Sequence, residues 1–135
     1  MNVSRITIYS RSGQFILVLL AALVDLSDKI PSKRAVENHV QKVGYLKLTP
    51  KLSKQAYDSK AEPMWKTVLA YARRNAIDRG LLKHLAVTDA WEISEKGRQR
   101  FVKFEQQFRD GKFDPARLEF LSAVFLERMG MASKP

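Results

Sequence analysis

A mainly α-helical domain carrying one small antiparallel β-hairpin is the fold class that the sequence predicts, on three grounds. Apolar residues recur at helical spacing over much of the chain, two short apolar runs flank a Thr-Asp turn within residues 81–93, and Ser, Pro and Gly stand where helices start and stop. With 135 residues, 45% hydrophobic and 28% charged, the chain can bury one core but not two, so residues 1–135 are expected to form a single domain. It contains no Cys, which excludes disulfides, thiol catalysis and thiolate metal sites.

The first helix is read from FILVLLAALV, residues 15–24. This run ends at Asp25 and falls short of the roughly 20 apolar residues that a bilayer requires, so no membrane span is predicted. Arg5 and Arg11 precede it as in a signal peptide, but DLSDKIP after it lacks a small-x-small cleavage pattern, and a cytoplasmic location is expected. A helix apolar on nearly every face should pack on two sides, against its own core and against another helix or subunit.

Pro31-Ser32 opens a second helix, in which Ala35, Val36, His39, Val40 and Val43 recur near helical spacing and Gly44 is the stop. Residues 45–62 alternate Lys and polar residues around Pro50 and read as a long connection with at most a helical turn. A third helix runs from about Pro63 to Gly80, burying Trp65, Val68, Leu69, Ala72 and Ala76. On a 100° wheel its other side carries Lys66, Thr67, Ala70, Tyr71, Arg74 and Asp78, with Arg73 at the boundary. Runs at 81–87 and 90–93 then form the expected hairpin about Thr88-Asp89. Ser94 caps a further helix that packs Phe101, Phe104 and Phe108 on the core, and Asp114, Pro115 and Gly130 bound a C-terminal helix within 112–135. This order is that of a winged helix-turn-helix, spanning residues 14–110 with extra C-terminal helices, whose third helix enters the major groove while the hairpin wing lies on the backbone.

YARRNAIDRGLL followed by AWEISEKGR resembles the N-terminal winged-helix domain of Mrr-type restriction proteins. Tyr71-Ala72-Arg73 matches that family's helix motif, Gly80-Leu81-Leu82 its end, and Trp91-Glu92-Ile93-Ser94-Glu95-Lys96-Gly97 the wing and the cap after it. The likeness is strongest over residues 63–100, with Tyr71 where Trp is usual and Ala76 where Leu is expected. It implies a DNA-binding protein, either a small transcription regulator or the target-recognition module of a restriction or mobile-element system.

The net charge of +10 favours a polyanionic partner, and Lys33, Arg34, Lys42, Lys47, Lys51, Lys54 and Lys60 stand against only Glu37 and Asp58 in residues 33–60. Double-stranded DNA is the expected partner. Lys66, Thr67, Tyr71, Arg73 and Arg74 of the third helix would meet the groove, where Arg and Lys pair with guanine edges and Thr and Tyr hold phosphate. Lys33, Arg34, Lys42, Lys51, Lys54, Lys83 and His84 are the candidates for phosphate contact. Apolar residues exceed one face in both the first and the C-terminal helix, so Phe15, Leu19, Leu118, Leu121, Phe125 and Met129 are expected to form a homodimer interface.

Catalytic signals are weak. Asp58-Ser59-Lys60 imitates a nuclease Asp-x-Lys but lacks an apolar strand to position it, and Glu92 and Glu95 are more simply a solvent-facing residue and a first-turn acid. His39 and His84 lack metal-site spacing, and no Gly-rich phosphate loop or nucleophile elbow occurs. No enzyme activity, metal, cofactor or small-molecule substrate is therefore expected. The competing class is a winged-helix protein-interaction adaptor or assembly subunit without direct DNA binding.

Overall fold

A computed structural model of the chain describes residues 6–54, 62–85 and 89–131. Its organising element is α1, Arg11–Asp25, begun where the Ser10 hydroxyl accepts a hydrogen bond from the Gly13 amide at 2.9 Å. Gly13 permits the preceding turn to fold onto the helix, since a Cβ there would stand 2.1 Å from the Thr7 carbonyl oxygen. Every residue of 13–23 is buried. Around α1 lie α2 (Lys33–Val43), the four-residue α3 (Pro50–Ser53), α4 (Met64–Asp78), α5 (Glu95–Arg109) and α6 (Ala123–Arg128). The sequence signals at helix ends are realised: Ser32 caps α2, Gly44 ends it with a left-handed φ of 72°, and Ser94 caps α5.

The expected hairpin does not form, and the winged helix-turn-helix class falls with it. Among the described residues there is no β-strand, only isolated bridges: Ser32 with Ala90, Leu46 with Leu121, and Leu82 with Ile93. The cause is divided pairing. Residues 89–91 bond to the start of α2 and the chain just ahead of it, with Lys33 N to Asp89 O at 3.1 Å and Trp91 N to Pro31 O at 2.9 Å. Residues 92–94 turn to the other side, with Lys83 N to Glu92 O at 2.8 Å and Ser94 N to Leu81 O at 3.0 Å. Ser94 then starts α5, so neither side extends into a ladder. The tip of the expected hairpin, residues 86–88, lies outside the described residues.

The single C-terminal helix is likewise broken. Asp114 caps only a 3-10 turn, Pro115–Arg117, and a second start at Ser122 opens α6. Between them the backbone is engaged elsewhere, with Lys47 N to Phe120 O at 2.8 Å and Ser122 N to Tyr45 O at 3.1 Å. A peptide unit bonded to a distant segment cannot also bond within a helix.

The apolar residues assigned to a subunit interface are in the chain's own core. Phe15, Leu19 and Phe125 have no exposure, Met129 none, Leu118 2% and Leu121 3%. α1 is enclosed by α4, α2 and α5, and the C-terminal segment closes on it through Phe120, whose ring lies 6.0 Å from that of Phe15 and whose amide donates to the buried Gln14 Oε1. The second covering of α1 therefore comes from the same chain, and these six side chains offer no surface to another copy.

A polar cluster locks the far end of α1. Tyr45 Oη and His39 Nε2 donate to Asp25 Oδ2, the His at 3.0 Å, while Arg128 Nε and Nη2 reach Asp25 Oδ1 at 3.2 and 3.0 Å. Arg128 Nη1 continues to Glu105 at 2.9 Å, so two carboxylates, bridged by Arg128, tie α1, α2, α5 and α6 together. Burial pushes the Asp25 carboxyl up, but the bonds from Tyr45, His39 and Arg128 outweigh it and hold it below its ordinary 3.8. Burial and the Asp25 contact push the Tyr45 hydroxyl up to about 12. Because the folded pKa of Asp25 is depressed, its stabilisation is present above pH 3.8 and is lost as the pH falls through the folded value. Asp25→Asn should cost on the order of 1–2 kcal/mol at neutral pH, discounted for partial exposure. Urea unfolding of both proteins should show the gap closing as the pH falls below 3.8, and a gap independent of pH would contradict the assignment.

Candidate nucleic-acid interface

α4 is the third helix of the sequence reading. Pro63 occupies the cap position without a side-chain bond, and the Met64 amide instead donates to the Lys54 carbonyl at 2.6 Å, fastening α3 to the start of α4. At the other end Gly80 takes a left-handed φ of 76°, and the Leu81 amide bonds back to the Ala76 carbonyl at 2.8 Å. Trp65, Val68, Leu69, Ala72 and Ala76 are buried as the wheel required, which fixes the opposite side outward.

That side is concave. Thr67, Ala70, Tyr71 and Arg74, with Glu62, line a hollow of about 350 Å³. Tyr71 is 63% exposed, and Arg74 is exposed beside it. Glu62 lies 3.6 Å from Lys33 Nζ, which is also 3.8 Å from Glu37, so Lys33 is held between two carboxylates. Burial pushes the Glu37 carboxyl up, and the cations of Lys33, Lys66 and Arg34 pull against it. Lys66 is half-buried with its Nζ 5.7 Å from the Trp65 ring centre.

The remaining expected contacts divide into open and engaged cations. Arg34 and Lys42 on α2, and Lys51 and Lys54 on and beside α3, are exposed. Among the described residues, Arg74, Lys42, Lys51 and Lys54 enter no ion pair. Lys83, by contrast, pairs with Glu92 at 2.8 Å, while its neighbour His84 is exposed. Arg73 is turned inward: its guanidinium carbon lies 5.2 Å from the Trp91 ring centre, and its Nε is buried without a hydrogen-bond partner. Lys60 and the Asp58-Ser59-Lys60 triplet lie outside the described residues.

Thr67, Tyr71 and Arg74 are thus brought together, and Lys54 is tied to the start of the same helix. Arg73 and Lys83 are drawn into contacts with the segment at 91–92. Glu62 shares the hollow without having been singled out by sequence, because its position depends on Lys33 of α2. Among the described residues, no group of three or more His, Cys, Asp or Glu is placed to hold a metal, and no helix is long and apolar enough to cross a membrane. No family model, curated protein or solved structure matches the chain.

The two adjacent arginines should behave oppositely on substitution. Arg73→Ala removes a cation–π contact and the packing of the side-chain stem, and should lower stability by about 1–2 kcal/mol. Arg74→Ala should change it by less than about 0.5 kcal/mol. Denaturant midpoints of the two variants measure this, and equal losses would contradict the placement.

Proposed function

We propose that the chain binds double-stranded DNA through the open side of α4. The observation that carries this reading is the convergence of Thr67, Tyr71 and Arg74 on one hollow, on a protein whose Arg74, Lys42, Lys51 and Lys54 enter no ion pair among the described residues. A guanidinium on an exposed helix face can pair with the acceptor edge of guanine, and Thr and Tyr hydroxyls suit phosphate oxygens. Arg34, Lys42, Lys51 and Lys54 are assigned to flanking phosphates. The net charge of +10 supplies the long-range attraction.

The proposal concerns one copy of the chain, since the six expected interface residues are buried in its core. A small regulator and the target-reading part of a restriction system, the two settings implied by the Mrr-type resemblance, would use this face in the same way.

Fluorescence anisotropy with a labelled duplex over a salt series tests the reading. Neutralising about five phosphates gives a slope of log affinity against log salt of roughly −4 to −5. Replacing Lys51 and Lys54 together by Ala should flatten that slope by about 2, whereas Arg74→Ala should weaken binding by about 1–3 kcal/mol. Lys83→Ala should have less effect than either, because Glu92 already holds that cation. A slope near zero, or an Arg74→Ala protein that binds as the unaltered one does, would overturn the proposal.

A further inference from the structure

A hollow of about 740 Å³ lies away from the α4 face, between α5 and the chain ahead of α1. Arg100, Lys103 and Lys112 line it, and no carboxylate among the described residues does. Its apolar wall comes from Ile6, Ile8, Phe104 and Phe113. Arg100 has a contact of its own within the protein, whereas Lys103 and Lys112 are exposed and form no ion pair among the described residues.

The walls are held in place. After α5 the chain reverses at Gly111, whose φ of 72° favours glycine, and the Lys112 amide donates to the Gln107 carbonyl at 3.0 Å. This turn lays Phe113 against Phe108, with ring centres 4.7 Å apart, and carries Lys112 back beside Lys103. Opposite, Tyr9 accepts from the Asp114 amide at 2.9 Å, stands edge-on to Phe113 at 6.4 Å and has the Arg117 guanidinium 3.7 Å from its ring centre. The Ser10 hydroxyl holds the Thr7 carbonyl at 2.7 Å. Like charges lining one hollow with an apolar wall, with no acid among its described lining residues, are complemented by an anion that carries an apolar body.

We propose that this hollow is a binding site for an organic phosphate, a doubly charged group on an aromatic or apolar body. The phosphate sits among Arg100, Lys103 and Lys112, the body lies against Phe104 and Phe113, and Thr7 and Gln107 supply hydrogen bonds. The volume falls within the few hundred to about 1,000 Å³ usual for small-molecule sites. The site is independent of the α4 face.

Calorimetric titration of the full chain with 1-naphthyl phosphate tests it, with 1-naphthol and inorganic phosphate as separate halves of the ligand. The expected result is saturable one-to-one binding of 1-naphthyl phosphate, and at least tenfold weaker binding of each half. Lys103→Glu combined with Lys112→Glu should reduce affinity at least tenfold with an unchanged melting temperature, and Lys29→Glu, beyond the other end of α1, should leave it as it was. Absence of saturable binding, equal binding of inorganic phosphate alone, or affinity that survives the double reversal would overturn the proposal.

Discussion

Everything in this structure is arranged around one helix that has no outward side. Residues 13–23 of α1 are all buried, and each large apolar side chain among them contributes roughly 1.5–3 kcal/mol by leaving water. A helix of that kind needs neighbours all round it. α4, α2 and α5 supply most of them, and the C-terminal segment supplies the rest through Phe120 and its bond to Gln14. Gln14 shows how tightly the enclosure is drawn: it is fully buried, its Oε1 is used by the Phe120 amide, and its Nε2 has no hydrogen-bond partner among the described residues. An amide left so costs about 1–3 kcal/mol, which the surrounding burial outweighs.

The enclosure also decides which surfaces remain for function. α4 spends Trp65, Val68, Leu69, Ala72 and Ala76 on the core, so Thr67, Tyr71 and Arg74 are forced to the outside by the helical repeat alone. The hollow on α4 and the hollow beside α5 differ in chemistry. The α4 hollow carries a carboxylate, Glu62, beside its arginine, whereas the charged residues among the described lining of the α5 hollow are all cations. At the far end of α1, Asp25 gathers Tyr45, His39 and Arg128, so a charged cluster takes over where apolar packing stops.

Helix ends were legible in the sequence because capping is local chemistry: Ser32, Ser94 and Gly44 act on backbone groups within a turn of themselves. The outward side of α4 was legible for the same reason, as a property of one helix. Pairing over distance was not. The hairpin pattern at 81–93 counted alternation in one segment and could not register that Pro31 competes for the Trp91 amide. The C-terminal helix pattern could not register that Tyr45 and Lys47 engage the backbone at 120–122. Periodicity likewise shows that Phe15 or Phe125 must be covered but not by which chain, and the covering turned out to be internal. Arg73, at the boundary of the wheel, was counted with the groove face because its contact with Trp91 depends on how α4 packs on the segment after it, and Lys83 was counted as a phosphate contact although Glu92 stands on the opposite run of the expected hairpin. The cationic hollow beside α5 left no trace, since its walls come from separate segments. Motif residues behind the Mrr-type resemblance have structural roles as well: Ser94 caps α5, and a Cβ on Gly97 would stand 2.1 Å from the Leu81 carbonyl oxygen.

The enclosure of α1 by its own chain is the claim on which the placement of both hollows rests. Amide hydrogen exchange, followed residue by residue at two widely separated protein concentrations, tests it most directly. The amides of residues 15–23 should exchange more slowly than any others, through global unfolding, and at the same rate at both concentrations. Protection in α1 that falls on dilution, or that is weaker there than in α5, would contradict the account.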